Sequence, residues 1–227
     1  LLTVLAGAIA VLPIAAAIFG GAGSVPGTKP AFATAPAGDY LLLGRTGEAE
    51  DVIAAAPADA SLPPIEIARI PHLPGFASNG AVSPDGTRLA LIVADSGSRS
   101  QPLASLIVVE LETGTVTRLL GGLDYLQRSV WAPDSGSVVV TRSLDEAPGS
   151  FTFVRLHLDG ALTSLGGADG VAGAFPVGFD NDGRFVAVVI DGSGSALLRD
   201  GAMIARISSF ITRDWQLSPY GSRVAFI

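Results

Sequence analysis

The chain repeats one nine-residue phrase five times, and no other feature limits its fold so tightly. The clearest copy is Ser83-Pro84-Asp85-Gly86-Thr87-Arg88-Leu89-Ala90-Leu91; the others run from Ala35 to Leu43, Ala132 to Val140, Asp180 to Val188 and Ser218 to Phe226, all aligned without a gap. A type I turn favours Ser or Asp first, Pro second and Gly fourth, and Ser83, Pro84 and Gly86 fill those places. Asp180-Asn181-Asp182-Gly183 keeps the turn chemistry without the proline, because Asn and Asp side chains bond to backbone two residues on. In the third copy the glycine comes one place late, at Gly136, which predicts a bulge.

The seventh and ninth positions are apolar in every copy: Leu41 and Leu43, Leu89 and Leu91, Val138 and Val140, Val186 and Val188, Val224 and Phe226. A period of two places such a pair on one face of a strand. The eighth position is apolar as well (Leu42, Ala90, Val139, Ala187, Ala225), so the strand is sandwiched between two layers. Between Pro36, Pro84, Pro133, Asn181 and Pro219 the steps are 48, 49, 48 and 38 residues. A period of roughly 40 to 50 residues filled with short strands predicts β-propeller blades. The expected class is therefore all-β, built of four-stranded antiparallel meanders.

Turn signals divide the repeats further. Glu112-Thr113-Gly114, Asp159-Gly160 and Asp200-Gly201 each read as the hairpin before the last strand of a blade. The expected organisation is a transmembrane helix or signal peptide over residues 1–19, a flexible linker over 20–34, and a partial propeller over 35–227. Its blades fall near 35–75, 76–124, 125–170 and 171–210, with a truncated fifth at 211–227. The chain opens on Leu1 and stops inside a predicted strand at Ile227, as a fragment of a longer protein would.

No side chain from Leu1 to Thr28 is charged, and the 19 residues from Leu1 to Phe19 are apolar apart from Thr3 and small glycines. That length suffices for a helix to cross a bilayer core of roughly 30 Å. Ala31-Phe32-Ala33 offers the small-x-small pattern of a cleaved leader, so anchor and signal peptide both stand. The expected location is the cell membrane, single-pass with an extracytoplasmic propeller, or the periplasm or exterior if the leader is cleaved. The absence of cysteine excludes disulfides, a thiolate nucleophile, Cys-ligated zinc and a lipid anchor on an amino-terminal cysteine. Net charge is −7, and the 13 arginines are scattered. Phosphate backbones need a basic stripe, so nucleic acid is not an expected partner.

Ser83-Pro84-Asp85-Gly86 with Leu89-Ala90-Leu91, then Leu106 to Leu111 and Thr113 to Leu119, is similar to the TolB-type, WD-repeat-like β-propeller repeat. The resemblance covers Ala35 to the end. It implies a propeller fold and a bacterial envelope setting, and it carries no catalytic residues.

The chemistry-bearing residues read mostly as structure. There is no Gly-x-Ser-x-Gly, and the two histidines, His72 in a Pro-rich linker and His157 in a predicted strand, do not suggest a triad or a three-ligand zinc site. Asp180-Asn181-Asp182-Gly183 invites a calcium reading, with Asp191 at the twelfth place. An EF-hand loop, however, wants its glycine sixth, and here it is fourth. Asp85, Asp134 and Asp182 share one repeat position and read as corner aspartates at one end of the blades. Trp131 and Phe179 occupy one position before the turn, alongside Val82 and Leu217, which predicts core packing; Trp215 falls outside that pattern and is expected to be exposed.

These readings name no catalytic, cofactor-binding or metal-binding residue and no cofactor. The expected function is non-enzymatic: an extracytoplasmic propeller that binds a protein or envelope ligand through its channel-end loops, with membrane contact through the amino-terminal segment. The alternative is the amino-terminal gating propeller of a larger serine peptidase of the prolyl-oligopeptidase kind, with its catalytic domain beyond Ile227.

Overall fold

The computed structural model describes residues 40–58, 63–143, 148–218 and 221–227; the apolar leader, the linker and the turn of the first repeat copy lie outside them. The described residues form five antiparallel sheets. The first contains β1 (Tyr40–Thr46), β2 (Glu50–Pro57) and β3 (Ile65–Pro71). The second contains β4 (Asn79–Val82), β5 (Arg88–Ser98), β6 (Gln101–Glu110) and β7 (Val116–Asp124). The third contains β8 (Val130–Trp131), β9 (Ser137–Ser143), β10 (Phe151–His157) and β11 (Leu162–Ala168). The fourth contains β12 (Gly173–Phe179), β13 (Phe185–Asp191), β14 (Gly194–Arg199) and β15 (Ala202–Ser208). A last pair, β16 (Gln216–Leu217) and β17 (Val224–Ala225), begins a fifth. Every sheet is a meander in which consecutive strands are neighbours, the order expected of blades. Among the described residues no helix is long and apolar enough to cross a membrane.

Four apolar layers join the sheets in sequence. Leu89, Leu91 and Val93 of β5 meet Ile53, Ala68 and Ile70 of the first sheet. Ala90 and Ile92, on the other face of β5, meet Val138, Val140 and Leu156 of the third. Val139 and Phe153 meet Phe185, Ala187 and Val189 of the fourth, and Val188 and Ile190 meet Trp215 of the fifth. Each central strand is thus buried on both faces. A fully buried Val, Leu or Ile side chain is worth about 1.5–3 kcal/mol, so these layers carry most of the stabilisation. The first strands β4, β8, β12 and β16 lie side by side in that order, along the inner edge of the stack.

The expectation that all five copies align without a gap is corrected in the fourth. In the second, third and fifth sheets the residue opening the turn donates its N–H to a carbonyl five residues on: Ser83 to Arg88, Ala132 to Ser137, Ser218 to Arg223. Asp180 instead donates to Arg184, four residues on. The fourth turn is one residue shorter, so Phe185, not Val186, occupies the place of Leu89 and Val138, opposite Phe179 as those stand opposite Val82 and Trp131. Because side chains alternate across a strand, the slip moves Val186 and Val188 to the opposite face from Leu89 and Leu91. The valines and alanine on both sides hide this slip from a reading of hydropathy.

The bulge expected at Gly136 is replaced by a different solution. Gly86, Gly183 and Gly221 take φ of 72°, 74° and 61° at the fourth turn position, and Ser135 takes 57° at the same place. A left-handed serine costs free energy that glycine avoids. Its hydroxyl offsets this by accepting the Asp85 N–H at 3.1 Å, tying the second turn to the third.

The end strands depart from the sandwich rule. Leu41 is 54% exposed, and Phe226 is also exposed, because no described layer covers those faces. In the second sheet β5 and β6 continue past Val93 through a Ser- and Gly-rich hairpin to the Ser98–Gln101 pair.

Candidate functional site

The meander gives the stack two unlike ends. At the turn end lie the first-to-second-strand turns and the third-to-fourth-strand hairpins. At the connector end lie the second-to-third-strand hairpins and the segments passing from one sheet to the next.

The inner strands enclose a cleft of about 440 Å³, lined by Asn79 to Val82, Arg128 to Trp131, Pro176, Val177 and Trp215. Apart from Pro84, which lines the cleft from within its turn, the lining residues occupy the last four places before the turn in successive repeats. Asn79, Arg128 and Pro176 stand four before it, and Asp214 stands at that place in the fifth copy. Among the described residues Arg128 is the only charged one lining the cleft. Its Nη2 donates to Asp214 Oδ1 at 3.0 Å, bridging the third and fifth sheets across the fourth. Both partners are about one-third exposed. Asp214 holds a left-handed backbone, φ 56°. The Ser129 Oγ is buried and has no hydrogen-bond partner. The walls are apolar: Trp131 donates its indole N–H to the Ala81 carbonyl at 2.8 Å. Trp215 donates its own to Thr212 Oγ1 at 2.7 Å and lies over Phe175, ring centroids 4.9 Å apart. Trp215 is therefore not exposed as expected but 7% accessible, in the layer between the fourth and fifth sheets.

At the connector end, Leu126, Phe210 and Ile211 are 75%, 77% and 74% exposed. Their backbone is nonetheless held. Leu126 N–H donates to Asp124 Oδ1 at 2.9 Å. The Phe210 carbonyl accepts from the Ser195 hydroxyl, and Ser195 Oγ accepts the Thr212 N–H. Nearby, the Tyr125 hydroxyl donates to the Ala77 carbonyl at 2.7 Å, and its ring meets the edge of Phe76 at 4.9 Å.

The polar residues singled out in the sequence are placed as follows. Asp85 Oδ1 accepts from the Ser83 hydroxyl, the Thr87 N–H and the Thr87 hydroxyl. Burial works to raise its pKa, but those bonds and the Arg88 charge outweigh it and hold the carboxyl below the usual range. Asp134 accepts the Gly136 N–H. In the shortened fourth turn the same role passes from Asp182 to Asp180, whose Oδ1 accepts the Asp182 and Arg184 N–H groups and whose Oδ2 lies 3.0 Å from Arg199 Nε. Asp191 sits at the far end of β13 from Asp180. It is held by Arg206 at 3.0 and 2.9 Å, and the Arg206 hydrogen bond, with the Ser193 N–H, lowers its pKa. Asp180 and Asp191 therefore cannot share a cation in one loop. Among the described residues no three His, Asp or Glu side chains are grouped to hold a metal ion.

His72 and His157 lie at opposite ends of the sheets. His72 is buried, its Nδ1–H donating to the Leu73 carbonyl at 2.8 Å and its Nε2 3.3 Å from Asp51 Oδ1. Asp51 Oδ2 in turn accepts the Ser78 N–H at 2.7 Å. This cluster bolts the first sheet to the connector entering the second. The imidazole faces the carboxylate, not the Ser78 hydroxyl, so it is not arranged to activate a nucleophile.

No family model matches the chain, and no curated protein does. Solved structures do. TolB from Acinetobacter baumannii is 18% identical, TM-score 0.56, over 82% of this chain and 45% of that one. Hydrazine synthase from Kuenenia stuttgartiensis is 17% identical, TM-score 0.57, over 85% and 69%. An oligogalacturonate lyase from Vibrio parahaemolyticus is 14% identical, TM-score 0.56, over 83% and 55%. The chain thus spans about half the length of the TolB and lyase structures it matches. Proteins of such different printed activities share the architecture, so the likeness speaks to fold and not to chemistry. The fold is that of a TolB-like β-propeller.

Proposed function

We propose that the chain is a non-enzymatic binding module of the bacterial envelope that holds a protein ligand through its connector-end loops. The observation that carries this reading is the exposure of Leu126, Phe210 and Ile211 on hydrogen-bonded connectors. All three stand on connectors at one end of the scaffold; exposed apolar surface marks interaction sites, and binding residues gather on loops held by rigid elements. The uncharged apolar stretch Leu1 to Phe19 supports export, as anchor or cleaved leader.

The test is capture from an envelope extract. The wild-type chain and a Leu126→Ser/Phe210→Ser/Ile211→Ser variant are compared, with Asp134→Ala at the turn end as control. The reading expects a stoichiometric partner with wild type and control and at least a tenfold loss with the triple variant. Equal capture by all three, or none by any, overturns it. Cell fractionation finding the chain in the cytosol removes the envelope part of the proposal.

A further inference from the structure

We infer that the inner cleft is a carboxylate-binding site in which Arg128 is the anchor and Asp214 the built-in competitor. This site is separate from the connector-end surface proposed above. The chain as a whole is acidic, at −7, yet among the described residues the one charge lining the cleft is Arg128. That group spends one N–H on Asp214, through Nη2 at 3.0 Å, and its remaining donors point to no partner among the described residues. A guanidinium meets a carboxylate best through two parallel N–H···O bonds, which the Asp214 contact does not supply. Asn79 and Ser129 belong to the same lining. A ligand carboxylate that reached the cleft would find the donors that Arg128 does not spend on Asp214, between apolar walls.

The geometry also says how the resident acid yields. The Arg128–Asp214 pair is about one-third exposed on both sides, and such pairs hold weakly against water and salt. Asp214 is separated from Arg128 by 86 residues and reaches it only because the same repeat position falls in the third and fifth sheets. The apolar walls, Trp131, Trp215, Val177 and Pro176, suit a carboxylate carried on an apolar or extended chain, such as an acidic peptide segment, or a small dicarboxylic acid.

Both tryptophans of the chain line the cleft, so intrinsic fluorescence excited at the indole reads its occupancy directly. The full chain is titrated with three probes: an acetylated, amidated tetraglutamate, its tetraglutamine counterpart, and glutarate. A saturable signal with tetraglutamate and none with tetraglutamine is expected; glutarate binding alone would assign the site to small acids, and tetraglutamate alone to peptides. Arg128→Gln should weaken the acid probe at least tenfold. Asp214→Asn should strengthen it about threefold or more, and Asn tolerates the left-handed backbone at that position, so this variant keeps the fold. Equal binding of tetraglutamine, no saturable signal with either acid, or insensitivity to both substitutions overturns the inference. None of these outcomes touches capture through Leu126, Phe210 and Ile211, so the two proposals fail separately.

Discussion

The two ends of the sheets use the same residue types for opposite purposes. At the turn end three corner carboxylates are spent on the backbone: Asp85, Asp134 and Asp180 each accept N–H groups of their own turn. The turns also touch one another, Asp85 N–H on Ser135 Oγ and Gly221 against Asp180. At the connector end the polar groups hold loops in place while Leu126, Phe210 and Ile211 stay out in solvent. The turn end commits its carboxylates to closing turns, and the connector end carries the three most exposed large apolar side chains among the described residues. Substitutions should therefore cost stability at the turn end and binding at the connector end.

The largest expected effect is at Asp180. Asp180→Ala strips two backbone N–H groups of their acceptor and Arg199 of its ion-pair partner at a buried carboxylate, a loss of about 2–3 kcal/mol. For a chain of this size that lowers Tm by about 4–10 °C, measured by calorimetry. Next comes Gly221→Ala. Its Cβ would sit 2.6 Å from the Asp180 Cα, and φ is already 61°, so about 1–2 kcal/mol is lost. Unchanged melting in both would mean the turn end is not the structural one.

Much of this end was legible in the chain. Turn residues and period-two apolar pairs act locally, so spacing alone gave the meander and the layers around Leu89 and Val138. The one-residue slip before Phe185 was not legible, because Val186, Ala187 and Val188 are apolar in either register and hydropathy is blind to it. Only the loss of one residue between Asp180 and Arg184 records it. The cleft was less legible still. Arg128 and Asp214 carry no local motif, and their meeting depends on how successive blades are turned about the inner edge. Aligning the place four residues before each turn would have gathered Asn79, Arg128, Pro176 and Asp214, the one signal the sequence held. Trp215 was misplaced for a related reason: it stands at the position of Gly80, Ser129 and Val177, where small or apolar residues had concealed an inward-facing site.

A third effect is a pH dependence at Asp85. Its carboxyl is held below the usual range in the fold, so its contribution is complete above the unfolded pKa of about 3.9 and is lost as pH falls through the lower folded value. Asp85→Asn should lower Tm slightly at pH 7, and the gap to wild type should close as pH drops below about 4. The side chain is 43% exposed, so solvent screening keeps the effect small. A gap that widens on acidification would reverse the sign and remove Asp85 from the stapling of its turn.

The smallest expected effect on stability discriminates most sharply between the ends. Leu126→Ser, Phe210→Ser and Ile211→Ser replace side chains that are already about three-quarters in water, so little buried area is lost. Surface changes of this kind fall within about 0.5 kcal/mol. The hydrogen bonds that hold these connectors run through Asp124, Ser195 and the backbone and are untouched. Urea unfolding of each variant should superimpose on wild type. A loss above about 1 kcal/mol would mean that these side chains pack in solution. The connector end would then be structural like its counterpart, and the reason for reading it as a binding surface would be gone.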